Sequence, residues 1–333
     1  MPSDVIRNAM TEAEQDAIRE EVRTLVAGGT TMRALATEFG IPYGTFSSWM
    51  GGTYGGRTDR IAAETRRGLD ARATKARTRA LAPAAPGFVA TPSAEIFAGL
   101  LAHAQHMGEF GVLVGGPGVG KTTTLEEYRR ANPNAWLLTA EPVHSTPRAL
   151  LDDLAETLAL EARGLSSQKL SRAVTTRLRG TGGLVMIDDA QHLTSQVLDQ
   201  LRAIHDQAKV GVALVGNETL FARLEGGSRA AHYAQLYSRV GLRLTRPRPT
   251  KGDIGALLDA WGIEGKDERA LLAWIAGKPG ALRGMTKVLR LAHMLAAADG
   301  GTVTVKHIRM AWSQHSGEAA APAATETPAR EAA

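Results

Sequence analysis

At 333 residues and 44% hydrophobic side chains, the chain holds about two domains with a substantial core, which excludes a wholly disordered protein. It contains no cysteine, so disulfides, zinc fingers and thiol catalysis are ruled out, and its nine histidines show no metal-ligand spacing. The formal net charge is +5, and an excess of that size stands between Arg57 and Arg79 alone, where eight basic side chains face three acidic ones. Such a segment suits a polyanion, most simply nucleic acid, or else a solvated linker. No stretch of about 18 uncharged apolar residues occurs. The opening Met1-Pro-Ser-Asp-Val-Ile-Arg7 lacks the apolar core of a signal segment, so the expected location is the cytoplasm.

From the N-terminus, Asp16 to Ala27 carries apolar residues at helical spacing: Ala17, Ile18, Val22, Leu25 and Val26. Thr31 to Met50 reads as a helix, a tight turn at Gly40 and a second helix, with Leu35, Ala36, Ile41, Phe46 and Trp49 turned to a shared core. The pattern resembles a helix-turn-helix, whose second helix enters the DNA major groove. Tyr43, Thr45, Ser47 and Ser48 fall on its exposed face as candidate DNA contacts; a helical hairpin for protein contacts has the same spacing. Residues 56–90 are basic and then Ala/Pro-rich, which predicts a linker after this all-α domain of residues 1–55.

The next region alternates strand and helix. Strands are predicted at Phe110–Val114, Ala135–Ala140, Leu184–Ile187, Val210–Gly216 and Gly241–Thr245, as the continuous apolar runs of strands buried on both faces. Helices are predicted at about 147–160, 168–179 and 194–207. The alternation implies an α/β fold over residues 91–248, a parallel five-stranded sheet with helices on both sides. Residues 249–315 show only helical patterns and are expected to form a C-terminal lid. Residues 316–333 are Ala/Pro/Glu/Thr-rich and expected to be disordered.

The chemistry gathers at strand ends. Gly115, Gly116, Pro117, Gly118, Val119, Gly120, Lys121 and Thr122 form a complete phosphate-binding loop between the first strand and a helix running on from Thr123. The glycines let successive N–H groups curl toward a polyphosphate, and the helix dipole adds positive potential. Lys121 is placed for the β- and γ-phosphates and Thr122 for Mg²⁺, so the expected ligands are ATP and Mg²⁺. Leu184-Val-Met-Ile-Asp-Asp189 is an apolar strand ending in two carboxylates. Asp188 is a second candidate for Mg²⁺, and Asp189 for polarising the attacking water. Glu is usual at the latter position in hydrolysing proteins. Asp falls about 1.5 Å short of it, so hydrolysis is expected to be slow.

Asn217 follows the fourth strand, where it could orient the γ-phosphate or the water, or cap a helix from Glu218. Arg239, in Leu236-Tyr-Ser-Arg239, is a candidate arginine finger for a neighbouring subunit, or a surface ion pair. Arg283 opens a lid helix and could contact the γ-phosphate of its own subunit, or stay solvated. Lys169, Arg172, Arg177 and Arg179 lie on or just after one helix as further DNA candidates, with Lys169, Arg172 and Arg179 assigned to one face. Arg243, Arg246, Arg248 and Lys251 are a second basic run. Both sets could equally be solvated faces.

The order phosphate loop, Ile-Asp-Asp, Val-Gly-Asn, Tyr-Ser-Arg, Gly-Ala-Leu-Arg resembles the AAA+ ATPases. More narrowly, the chain resembles the Mu B-type transposition proteins over about residues 15–312. The likeness is carried by Tyr43-Gly-Thr-Phe-Ser-Ser48, the phosphate loop with Tyr128-Arg-Arg130, Asn134-Ala-Trp136 and the segment from Arg179 to Leu184. It continues through Leu236-Tyr-Ser-Arg239 and Lys278-Pro-Gly-Ala-Leu-Arg283 with Leu289-Arg-Leu-Ala292. Asp189 departs from the Glu of that family. The resemblance implies an ATP-dependent, non-specific binder of double-stranded DNA that self-associates into helical filaments. It would deliver target DNA to a transposase of the Mu A type and stimulate strand transfer, in a bacterial or phage-infected host cell. Hydrolysis stimulated by DNA and transposase would disassemble the filament and contribute to target immunity. Two rival readings fit the generic motifs: a helicase-loader-type ATPase of replication, and an ATP-responsive helix-turn-helix transcription regulator.

Overall fold

The computed structural model describes residues 10–81, 85–220 and 238–318, without the side chains of 77–81, and the chain divides into two compact units, Met1–Pro83 and Ala84–Ala333. In the first unit, α1 (Glu12–Ala27), α2 (Met32–Phe39) and α3 (Tyr43–Met50) are followed by α4 (Thr58–Leu81). Helix α1 starts one turn earlier than its apolar pattern because Thr11 and Glu14 cap it reciprocally. Ile18, Val22, Leu35, Ala36, Ile41, Phe46 and Trp49 form the core, as the spacing required. The Trp49 indole donates to Gln15, and the Arg19 guanidinium lies 4.9 Å from the Trp49 ring centroid.

The expected linker is corrected here. Residues 58–81 form one helix, and its Ile61, Ala62 and Leu69 complete the core of the first unit. These positions, with the buried Thr65, make a helical stripe that the surrounding arginines mask in the sequence. A Cβ on Gly68 would lie 2.2 Å from the Phe39 ring, so α4 passes this close to α2 only with glycine there. Two arginines of the basic run also bond back to the preceding helices, Arg66 to Glu21 at 2.5 Å and Arg72 to Glu38.

The second unit opens with α5 (Pro92–Met107), a helix the sequence reading missed, begun by the Thr91 cap and Pro92. Then follow β1 (Phe110–Gly115), α6 (Lys121–Ala131), β2 (Ala135–Thr139), α7 (Pro147–Thr157), α8 (Ser167–Leu178), β3 (Leu184–Asp188), α9 (Ser195–Ala208), β4 (Gly211–Gly216) and β5 (Val240–Arg246). The strands are parallel in the order β2-β3-β4-β1-β5. One face is covered by a core around Phe97, Leu101 and Leu125 of α5 and α6, the other by Leu150, Leu154, Val174 and Leu201 of α7, α8 and α9.

The lid comprises α10 (Lys251–Ala260), α11 (Lys266–Ala276), α12 (Ala281–Ala298) and α13 (Val305–Ser316), packed on Leu272, Met285, Leu289, Ile308 and Trp312. Fully buried Asp253 ties its first helix to α5. Its carboxylate accepts from Ser93 N and Oγ at 2.7 Å and from Thr250 N and Oγ1 at 2.6 and 2.8 Å. Burial alone would raise this carboxyl; the hydrogen bonds from Ser93 and Thr250 outweigh it and hold it below the usual carboxylate range. Among the described residues no helix is long and apolar enough to cross a membrane. Residues 319–333, most of the expected disordered tail, lie outside the described residues.

Candidate active site

Because the sheet is parallel, the tips of β1, β4 and β3 stand side by side at its carboxyl edge, where open α/β sheets bind their ligands. The phosphate loop leaves β1 there. Gly120, at φ 95°, precedes α6 without any side-chain cap, which leaves the first N–H groups of the helix for a ligand. Lys121 Nζ donates to the carbonyls of Gly115 and Gly116 at 2.8 and 2.9 Å. Burial pushes the Lys121 amine down; the Asp188 and Asp189 charges oppose this and Arg283 adds to it. Thr122 Oγ1 donates to Asp188 Oδ2 at 2.6 Å, and Asp188 is buried. A hydroxyl and a carboxylate in contact are the oxygen pair a hard divalent cation takes when phosphates complete its shell, so the donor set fits Mg²⁺.

Asp189 has φ 51°, left-handed and sparsely populated for a side-chain-bearing residue. Its carboxylate accepts from Gln191 Nε2 at 3.0 Å. Asn217 faces the same cavity, but its Oδ1 accepts from Thr219 N at 2.9 Å, so the side chain caps the helical turn that follows.

Lys121, Thr122, Asp189 and Asn217 line a cavity of about 560 Å³. Phe88, Val89, Leu257, Trp261 and Leu282 form an apolar portion of its wall. The lid closes against the loop itself. Leu282 N donates to Gly118 O at 3.1 Å, and a Cβ on Gly118 would fall 2.1 Å from Gly280 O. Arg283, beside Gly118, is therefore held over the phosphate end. Lys287 and Arg290, at i+4 and i+7 from it, line the cavity along the same face of α12. None of the three cations has a hydrogen-bond or ion-pair partner among the described residues. Lys287, Arg290 and Gln191 were not singled out in the sequence; the first two were detectable by their spacing from Arg283.

Known proteins resemble this chain in sequence. Residues 105–224 match an AAA domain, and residues 238–314 match the family described as Mu B transposition protein, C terminal. The chain is 37% identical over 298 residues to the ATP-dependent target DNA activator B of Escherichia phage Mu, covering 89% of this chain and 94% of that protein. The chain belongs to the Mu B transposition protein family. The Mu-like prophage FluMu DNA transposition protein B of Haemophilus influenzae is 33% identical over 260 residues, 77% of this chain and 89% of that one. A structure of Drosophila ORC bound to DNA superposes with TM-score 0.50 at 18% identity, over 71% of this chain and 64% of that one, a likeness of fold alone. With its AAA domain, this Mu B family member is an ATPase.

Some segments that carry the Mu B likeness lie away from the cavity and are structural. Tyr128 OH donates to Gln105 Oε1 at 2.6 Å, and Gln105 Nε2 donates to Asn134 Oδ1 at 3.0 Å. Asn134 Nδ2 donates to Thr181 O at 3.0 Å, which ties the loop before β3 to the start of β2. Arg239 sits at the opposite edge of the sheet from the phosphate loop, its carbonyl accepting from Phe110 N at the start of β1. Six residues of strand, roughly 17 Å, separate it from the loop of its own subunit. Its guanidinium forms a two-pronged ion pair with Asp206 at 2.6 and 2.7 Å.

The DNA candidates are spread over both units. Tyr43 is exposed, with the Arg33 guanidinium 5.3 Å from its ring centroid, and Thr45 and Ser47 are half-buried beside it on α3. Lys169 and Arg172 are exposed on α8, while Arg177 lies 5.9 Å from the Trp136 ring centroid. Arg179 is the C-cap of α8, which ends at Leu178; its φ of -60° and its N–H donated to Thr175 O keep the helical geometry up to its Cα.

Proposed function

We infer that this chain is an ATP-dependent activator of target DNA in transposition, as its phage relatives are named. The observation that carries this is the cavity in which Lys121 and Thr122, the latter bonded to Asp188, share a wall with three lid cations that have no partner among the described residues. Lys121 would exchange its two carbonyl partners for phosphate oxygens. Mg²⁺, held by Thr122 and Asp188, would neutralise phosphate charge. Asp189 would take the proton of the attacking water, whose oxygen bonds to the γ-phosphorus as the bond to the bridging oxygen breaks and ADP leaves. The backbone of Gly115 to Gly120 and Thr123 would complete the phosphate cradle. Arg283 would contact the γ-phosphate and report it to the lid. Asn217, used as a cap, would position the β4 tip.

Arg239 is too far from its own loop to serve it, so we assign it to the site of a neighbouring copy. Its pair with Asp206 is partly exposed on both sides, and exposed pairs contribute little, so exchange for a neighbour's phosphate costs little. Assembly into a filament on DNA and handover to a transposase belong to the same proposal, which membership of the family supports.

The test is binding to random-sequence duplex with ATP and with ADP, viewed by electron microscopy. ATP-dependent coating of any duplex is the expected result. Preference for a single operator by about 10³-fold or more, or binding indifferent to nucleotide, would sink the proposal. In the same assay Asp189→Asn should keep ATP and DNA binding while turnover stops, because an amide cannot take the water's proton.

A further inference from the structure

One side chain joins the tips of β3 and β4. Gln191 lies in the short turn Ala190–His192 that follows Asp189. Its amide nitrogen donates to Asp189 Oδ1 at 3.0 Å, and its amide oxygen accepts from Asn217 N at 3.3 Å. Both ends of one planar amide are engaged, so neither bond can be kept if the group rotates. The space it occupies is reserved for it: a Cβ on Gly216 would lie 2.7 Å from Gln191 Oε1. Among the described residues no other group donates a hydrogen bond to the Asp189 carboxylate.

We propose that Gln191 is a positioning residue of the ATPase reaction, whose amide holds the Asp189 carboxylate in register with the Asn217 loop. The chemistry suits that task. A neutral N–H donor fixes the direction of a carboxylate without cancelling its charge, which a lysine there would do. The need is local. Asp189 has one methylene less than the usual Glu and leaves its strand in left-handed backbone, so neither reach nor strand direction aims the carboxylate. The same amide reads the backbone of Asn217, so a shift of the β4 tip moves the acid with it. This rests on Asp189 being the water-activating group.

The experiment uses the full chain with duplex DNA and two substitutions. Gln191→Leu removes both hydrogen bonds at similar volume. It should lower kcat for ATP by about 10- to 100-fold, with KM and the affinity for a fluorescent ATP analogue within about twofold. Gln191→Glu sets a second carboxylate against Asp189. With the donor gone and like charges opposed, kcat should fall at least as far as in Gln191→Leu. In an Asp189→Asn background, Gln191→Leu should add no further loss. A parent-like kcat for Gln191→Leu beside an inactive Asp189→Asn overturns the role of Gln191 alone, as does a change confined to KM. An Asp189→Asn variant that turns over at the parent rate removes the assignment of Asp189 and this proposal together.

Discussion

The basic helix α4 of the first unit and the lid helix α12 of the second carry similar cationic residues to opposite ends. Around α4 four arginines are paired with acids: Arg57 with Asp59, Arg60 with Glu64, Arg66 with Glu21 and Arg72 with Glu38. Over residues 10–76, nine basic residues meet nine acidic ones, because the acidic α1 offsets the run that follows. Arg283, Lys287 and Arg290 of α12 have no such partners among the described residues and converge on one cavity. Charge density in a sequence window therefore says little about charge available to a ligand. Availability depends on which acids the fold brings alongside.

The comparison can be broken or sharpened by substitution. The largest effect is expected at Lys121, which faces the same cavity as the lid cations. Lys121→Ala should weaken nucleotide binding at least about 100-fold, since charge-assisted bonds to a partly enclosed phosphate are lost. ATP-dependent DNA binding should go with it. Mixed with Arg239→Ala, which keeps an intact loop, the Lys121 variant should restore ATPase activity that neither shows alone. Silence of mixtures shown to co-assemble would return Arg239 to a plain surface ion pair.

A smaller effect is expected along α12. Lys287→Gln and Arg290→Gln should each weaken ATP binding about fivefold, the size of one charge acting through partly solvated space. Titration at two salt concentrations should show the loss shrinking at high salt. Unchanged affinity in both would mean that the unpaired cations of α12 serve something other than the nucleotide.

The smallest effects belong to α4. Lys75 is exposed and has no ion-pair partner among the described residues, whereas Arg66 is held by Glu21. Lys75→Gln should lower the log–log salt slope of DNA binding by about 0.9 if it neutralises one phosphate. Arg66→Gln should leave the slope nearly unchanged and cost about 0.5 kcal/mol of stability in thermal unfolding. Equal slope changes for both would erase the distinction between spent and available charge.

Much of the catalytic unit was legible because its signals are local. Gly-x4-Gly-Lys-Thr between an apolar strand and a helix, and two carboxylates ending another apolar run, fix backbone shape and chemistry within a few residues each. The first-unit core was legible for the same reason, since helical spacing puts Ile18 and Val22 on one side of α1 and Phe46 and Trp49 on one side of α3. Helix α4 was misread as linker because its apolar stripe is thin and surrounded by arginine, and only packing against α1, α2 and α3 gives that stripe a partner.

By itself, then, the sequence determined the parallel α/β core, the phosphate loop with its two carboxylates, and the helical lid, because each rests on short-range periodicity and backbone geometry. Only tertiary structure decided which charges are free. Glu21 and Glu38 reach arginines more than thirty residues away, and Asp206 reaches Arg239 across the sheet edge. It also decided that Gln191 spans from Asp189 to Asn217, a contact between two strand tips that are neighbours only because β3 and β4 pair. Ion pairing and carboxylate positioning act over a few ångströms, and what lies within that distance is set by the path of the chain through space.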